Sequence, residues 1–114
     1  DVMPHFDPTR STTTDVVRQA VIPLSCTSDG RGLSYAEKCS NGPQFPDVMV
    51  THCWSNQFAD LVAAVVSDAL GLQEYGGVAA DLAARAFGRL CARLTLEGTL
   101  DRRYWICAFC VNQH

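Results

Sequence analysis

The sequence predicts an α/β domain, a parallel sheet with flanking helices. Three observations predict it. Residues 47–52 and 103–111 are two short segments apolar on both faces, as strands covered on both sides are. Two amphipathic helical stretches lie between them. The order strand, helix, helix, strand, with a crossover of ~50 residues, suits parallel strands joined right-handedly.

The elements follow in order. Residues 1–13 are polar, carry Pro4 and Pro8, and read as an irregular lead-in. Thr14 is placed to cap a short helix over 15–21, with Asp15 favourable in its first turn and Pro23 helping to stop it. Residues 25–33 are a loop of Ser, Thr, Gly and Asp. Ser34-Tyr-Ala-Glu37 matches a capping box for one or two helical turns, and 41–46 is a turn. The lead-in with its short helices thus occupies 1–46 and the α/β domain 47–114.

In that domain the first strand, 47–52, precedes a helix capped by Ser55 or Asn56 and running to about residue 70. Gly71 stands just past its end. Phe58, Leu61, Val62, Val65 and Ala69 supply its apolar face, with Asp60, Ser67 and Asp68 opposite. A second helix spans 78–94 on Ala83, Ala86, Phe87, Leu90, Cys91 and Leu94. Glu97-Gly98 breaks it, and the strand over 103–111 closes the pattern. Two strands alone make a marginal sheet. The chain also opens on Asp1 and ends at His114 directly after an apolar stretch, so it reads as part of a longer domain.

Composition narrows the function classes. At 47% apolar and 18% charged residues the chain is neither a disordered tail nor a coiled coil. No apolar run approaches the ~20 residues of a membrane span. A net charge of −3 argues against nucleic acid or anionic lipid as a partner. The six cysteines sit largely within apolar segments and read as free, mostly buried thiols, hence an intracellular and cytoplasmic setting. Cys107-Ala-Phe-Cys110 invites a redox or zinc reading. In an extended strand, however, positions i and i+3 point to opposite faces. A zinc site also needs further ligands, for which only His52, Cys53 and His114 offer themselves. No metal ligand is assigned.

Ligands of open parallel sheets bind beyond the carboxyl ends of the strands. Here those ends are polar: Thr51-His52-Cys53-Trp54-Ser55-Asn56 follows the first strand and Asn112-Gln113-His114 the second. If the strands are neighbours, the clusters share one rim. Trp54 then offers a face for a flat ring, His52, Asn112 and Gln113 offer hydrogen bonds, and the helix start near Asn56 offers an anion corner. The same residues also suit a purely structural role, with Ser, Asn and Gln as caps and turns, Trp54 as a lid and His52 as a core histidine. No Asp or Glu occurs within 48–59 or 104–114 to serve as a general base. Arg85, Arg89 and Arg93 form a stripe at i, i+4, i+8 that reads as a solvated outer face, with Asp81 and Glu97 four residues to either side.

Tyr104-Trp105-Ile106-Cys107-Ala108-Phe109-Cys110-Val111-Asn112-Gln113 resembles the W-I-D-A-L-C-I-N-Q signature of heterokaryon-incompatibility (HET) domains. Trp105, Ile106, Ala108, Cys110, Asn112 and Gln113 match it; Phe109 and Val111 are conservative changes. Val50-Thr51-His52-Cys53-Trp54-Ser55 similarly resembles that family's L-S-Y-x-W-G. Cys107 stands where the family has aspartate, and Ser55 where it has glycine. HET domains are related to Toll/interleukin-receptor-like (TIR) domains. The resemblance therefore implies a flavodoxin-like fold acting in intracellular signalling. Some TIR relatives cleave NAD with a glutamate on a later helix, for which this chain shows no counterpart, so no catalytic residue is assigned. NAD is the implied nucleotide, with Thr51, His52, Trp54, Ser55, Asn56, Asn112 and Gln113 as candidate binding residues. The alternatives are a non-enzymatic module that docks another protein domain, and a Cys/His metal site.

Overall fold

In the computed structural model, which describes residues 2–42 and 44–114, two short strands pair in parallel. They are β1 (Val48–Val50) and β2 (Tyr104–Ile106), with Val48 opposite Tyr104, Met49 opposite Trp105 and Val50 opposite Ile106. With the helices around them they make a small α/β arrangement. Asp1 lies outside the described residues, as does Pro43 of the turn expected over 41–46.

Both strands are shorter than the sequence predicts. β1 occupies the middle of the expected 47–52, and Met49 is 70% exposed, so this strand is not covered on both faces. β2 ends at Ile106, and the expected second half of the strand is instead a helical turn, α7 (Cys107–Cys110). The reason is the missing ladder. A three-residue partner leaves nothing for residues 107–110 to pair with, so the backbone satisfies itself locally and Val111 N–H donates to the Cys107 carbonyl at 3.1 Å.

The N-terminal region holds α1 (Thr13–Val16), a π turn (Val17–Val21) and α2 (Ile22–Leu24). Its cap is Thr12, not Thr14. The Thr12 hydroxyl accepts from Asp15 N–H at 3.2 Å, and the Asp15 carboxylate accepts from Thr12 N–H at 2.9 Å. That reciprocal pair satisfies two otherwise orphaned donors. Pro23 does not end the helix as expected, because the widened π turn just before it lets the chain pass the proline ring. Val16, Val17 and Val21 pack with Leu61, Ile106 and Ala108 into one buried cluster, so residues ahead of 47 build the core around the sheet. Ser34 and Glu37 form the expected capping box at the start of α3 (Tyr35–Cys39).

After β1 comes α4 (Phe58–Ala69), capped at Gln57 rather than at Ser55 or Asn56 and followed by Gly71 at φ 72°. The single helix expected over 78–94 is two, α5 (Gly76–Ala83) and α6 (Phe87–Glu97). Arg85 sits between them in the left-handed region at φ 57°. That break spoils the i, i+4, i+8 arginine stripe: Asp81 lies 3.7 Å from Arg89 and 3.9 Å from Arg93, not against Arg85. Ala63, Leu70, Val78 and Leu90 form a second buried cluster where α4, α5 and α6 meet. α4 therefore carries Leu61 into one core and Ala63 into the other. Among the described residues no helix is long and apolar enough to cross a membrane.

The cysteines are free, but the expectation that most are buried fails. Cys26, Cys39, Cys53 and Cys91 are exposed, and Cys107 and Cys110 are half-buried.

Candidate functional site

The chain leaves β1 through Thr51, His52 and Cys53, turns, and enters α4. A strap from the N-terminal region lies over this turn. Thr12 bridges Gln57 in antiparallel fashion. Thr13 N–H donates to the Asn56 carbonyl and Thr14 N–H to that of Trp54, both at 3.1 Å, while Phe58 N–H donates to Ser11 at 3.0 Å. The Gln57 side chain adds a bond to the Thr9 carbonyl at 2.8 Å. These bonds consume the Phe58 donor at the start of α4, and Asp60 places a carboxylate in the first turn, so the anion corner expected near Asn56 is not formed.

Strap, turn and α4 enclose a cavity of about 260 Å³ lined by Thr51, His52, Asn56, Asp60, Thr13 and Tyr75, among others. Both ring nitrogens of His52 and the Thr13 hydroxyl are buried without a hydrogen-bond partner among the described residues. Burial lowers the His52 pKa below its ordinary value, keeping the imidazole neutral. Neutral imidazole offers one donor and one acceptor, Thr13 offers both roles, and Asp60 accepts. Thr13, His52 and Asp60 thus bring polar side chains to the cavity wall, with the His52 nitrogens and the Thr13 hydroxyl lying just behind its accessible surface.

The structure divides the predicted site. Thr51, His52 and Asn56 reach this cavity. Ser55 is exposed, its hydroxyl 3.0 Å from Cys53 Sγ, and hydrogen bonds from Ser55 hold the Cys53 thiol below its usual pKa. Trp54 is half-buried against the first core cluster, and its indole N–H donates to Cys107 Sγ at 3.3 Å. Its side chain does not line the cavity. The Asn112 amide donates to the Gly32 carbonyl and accepts from His114 N–H, both at 2.9 Å. The Gln113 amide donates to the carbonyls of Cys107 and Val111, each at 3.1 Å. Gln113 thus ties down the α7 turn, and Asn112 ties the segment after it to the loop at Gly32.

Sequence reasoning missed Asp60 and Thr13. Asp60 falls one residue beyond the 48–59 stretch that lacks a carboxylate, on what the periodicity marks as the polar face of its helix. Thr13 is more than thirty residues before β1 and carries no motif; only the strap brings it here. Among the described residues no group of three or more His, Cys, Asp or Glu side chains is gathered to hold a metal ion. A second cavity, of about 460 Å³, lies beside β2 and α3, and an apolar groove of about 380 Å³ runs between the N-terminal strap and α4 and α5.

No protein-family model, curated protein or solved structure matches this chain.

Proposed function

We propose that this chain is a HET/TIR-like domain, flavodoxin-like in its sheet, that acts in intracellular signalling and binds a nucleotide such as NAD beyond the carboxyl end of β1. The observation that carries this reading is the pair of orphaned polar groups, His52 and Thr13, at one cavity with the Asp60 carboxylate. Buried polar atoms without partners cost about 1–3 kcal/mol each, which a ligand able to bond them returns. About 260 Å³ is just below the ~300–1,000 Å³ of pockets that enclose a whole drug-sized ligand. It suits one ring and its sugar, with the remainder of the nucleotide lying across exposed Thr51 and Asn56. Asp60 accepts from ribose hydroxyls, as carboxylates do in dinucleotide sites. Rotation of the His52 and Thr13 side chains turns their buried polar atoms toward the polar edge of the ring.

The test is calorimetric titration of the chain with NAD. Binding is expected, weakened at least about tenfold in Asp60→Asn or His52→Ala, the loss of one charge-assisted or one buried hydrogen bond. No heat with NAD, or affinity unchanged in both variants, overturns the reading.

The apolar groove favours a second reading, a protein-docking module. Phe6, Phe58, Val62, Leu82 and Phe87 line it, and Phe87 is 54% exposed. On that reading Phe87→Asp abolishes partner binding while Asp60→Asn and His52→Ala leave it intact.

A further inference from the structure

The nucleotide reading leaves Cys107 and Cys110 unused. Their arrangement follows from the end of β2. Had the strand continued, these thiols would lie ~10 Å apart and on opposite faces. Instead they open and close one helical turn, sealed by Val111 N–H and by the Gln113 amide on the Cys107 carbonyl. Helical residues at i and i+3 have their Cβ atoms ~5–6 Å apart, on one face, within reach of a disulfide once side chains and backbone adjust slightly.

Both thiols are free and half-buried. Cys110 lines the cavity of about 460 Å³ beside α3, where Arg103 and Glu37 place one charge of each sign. That wall suits a small zwitterionic peptide carrying carboxylates and an ammonium. Cys107 Sγ lies at 3.3 Å from the Trp54 indole nitrogen, so the indole is in contact with one of the two sulfurs.

We infer that Cys107 and Cys110 form a reversible dithiol–disulfide centre that exchanges with small peptide disulfides of the glutathione class. One protein thiolate attacks a sulfur of the oxidised peptide, forming a mixed disulfide and releasing one peptide thiolate, which takes up a proton. The second protein thiolate attacks the protein sulfur of that mixed disulfide and releases the second peptide thiol. The protein loses two hydrogens and two electrons, and the peptide disulfide gains them. This site is independent of nucleotide binding at His52 and Asp60, and the failure of either leaves the other standing.

The test equilibrates the full chain with mixtures of reduced and oxidised glutathione, traps thiols by acid and alkylation, and maps the products by peptide mass spectrometry. A Cys107–Cys110 link is expected, with glutathione on that segment at less than about a tenth of the linked product, because the second thiol is already in place. Trp54 fluorescence is expected to change with the same midpoint. In Cys107→Ser the glutathione adduct at Cys110, the thiol that lines the cavity, should rise at least about tenfold. A variant with Ser at the four exposed positions 26, 39, 53 and 91 should keep the midpoint; if it does not fold, the map of the unaltered chain decides alone. The inference is overturned if Cys107 and Cys110 stay reduced while the exposed cysteines oxidise. It is equally overturned if either carries glutathione as its main product, or if Cys110 links chiefly to Cys39 on the neighbouring α3.

Discussion

His52 follows β1, and its buried ring nitrogens make the native state sensitive to acid. Burial holds its pKa below the usual ~6.5. Above that ordinary value the imidazole is neutral in both folded and unfolded chains, and its contribution to stability is whole. Below it, down to the lowered native value, the unfolded chain binds a proton that the native chain does not, so stability falls as pH falls. Thermal unfolding at a series of pH values between 7.5 and 5 should therefore show a decline that His52→Gln, which cannot titrate, makes shallower. A steeper decline in His52→Gln would refute this. The sequence places His52 at a strand end with two roles open to it. Which role it fills depends on Thr13 and Asp60, and no local pattern connects either to it.

The elements are tied by few, specific bonds. The Tyr104 hydroxyl on β2 donates to the Asp68 carboxylate of α4 at 2.7 Å, and burial together with that acceptor pushes the phenol up to about 12. The Arg102 guanidinium lies 3.9 Å from Asp68 and 5.8 Å from the Tyr104 ring centre. Tyr104→Phe removes the one bond and keeps the ring, so a loss of about 1 kcal/mol is expected, or roughly 3–6 °C in Tm. An unchanged Tm would mean that solvent replaces the bond without cost.

Element identity was legible from the capping box at Ser34–Glu37 and from the apolar period along α4, although the cap of α4 was not. It was illegible where tertiary supply decided. YWICAFCV is rich in aromatic and β-branched residues, yet only Tyr104–Ile106 finds a partner and Cys107–Cys110 winds into a helical turn. The break between α5 and α6 falls at Ala84, Arg85 and Ala86, good helix formers all, with no glycine or proline among them to announce it.

Among the described residues the molecule has two cores, joined through α4. Its Cα radius of gyration, 14.5 Å, exceeds the ~13.3 Å of a compact chain of this length, as expected for an elongated pair of clusters. Leu61 is 8% exposed in the cluster beside the sheet and Leu90 is 4% exposed in the helical one. Leu61→Ala and Leu90→Ala should each cost about 2–4 kcal/mol. Because they share no cluster, the double variant should sum to within about 0.5 kcal/mol in denaturant unfolding, if it still folds. If it does not, hydrogen exchange of each single variant should show the loss concentrated in its own cluster. A coupling above 1 kcal/mol would mean one core rather than two. At this scale the parallel pairing of two strands across a helical crossover was legible, but the crossover holds three helices, α4, α5 and α6, where two were expected. The share of the core supplied by Val16, Val17 and Val21 was not legible, because Val17 and Val21 lie in a π turn, whose wider winding an α-helical period does not follow.

The parallel pairing of Val48–Val50 with Tyr104–Ile106 also has a consequence in time. Each pair joins residues 56 apart in sequence, Val48 with Tyr104 for instance. Closing a loop of that length costs about 3.5 kcal/mol of chain entropy, before a three-residue ladder returns anything. The contacts among α4, α5 and α6 are far more local and carry little such cost. A nascent chain therefore assembles its helical hairpins early and zips its sheet last. The turn bearing Cys107 and Cys110, directly after β2, is among the final pieces to reach its native shape.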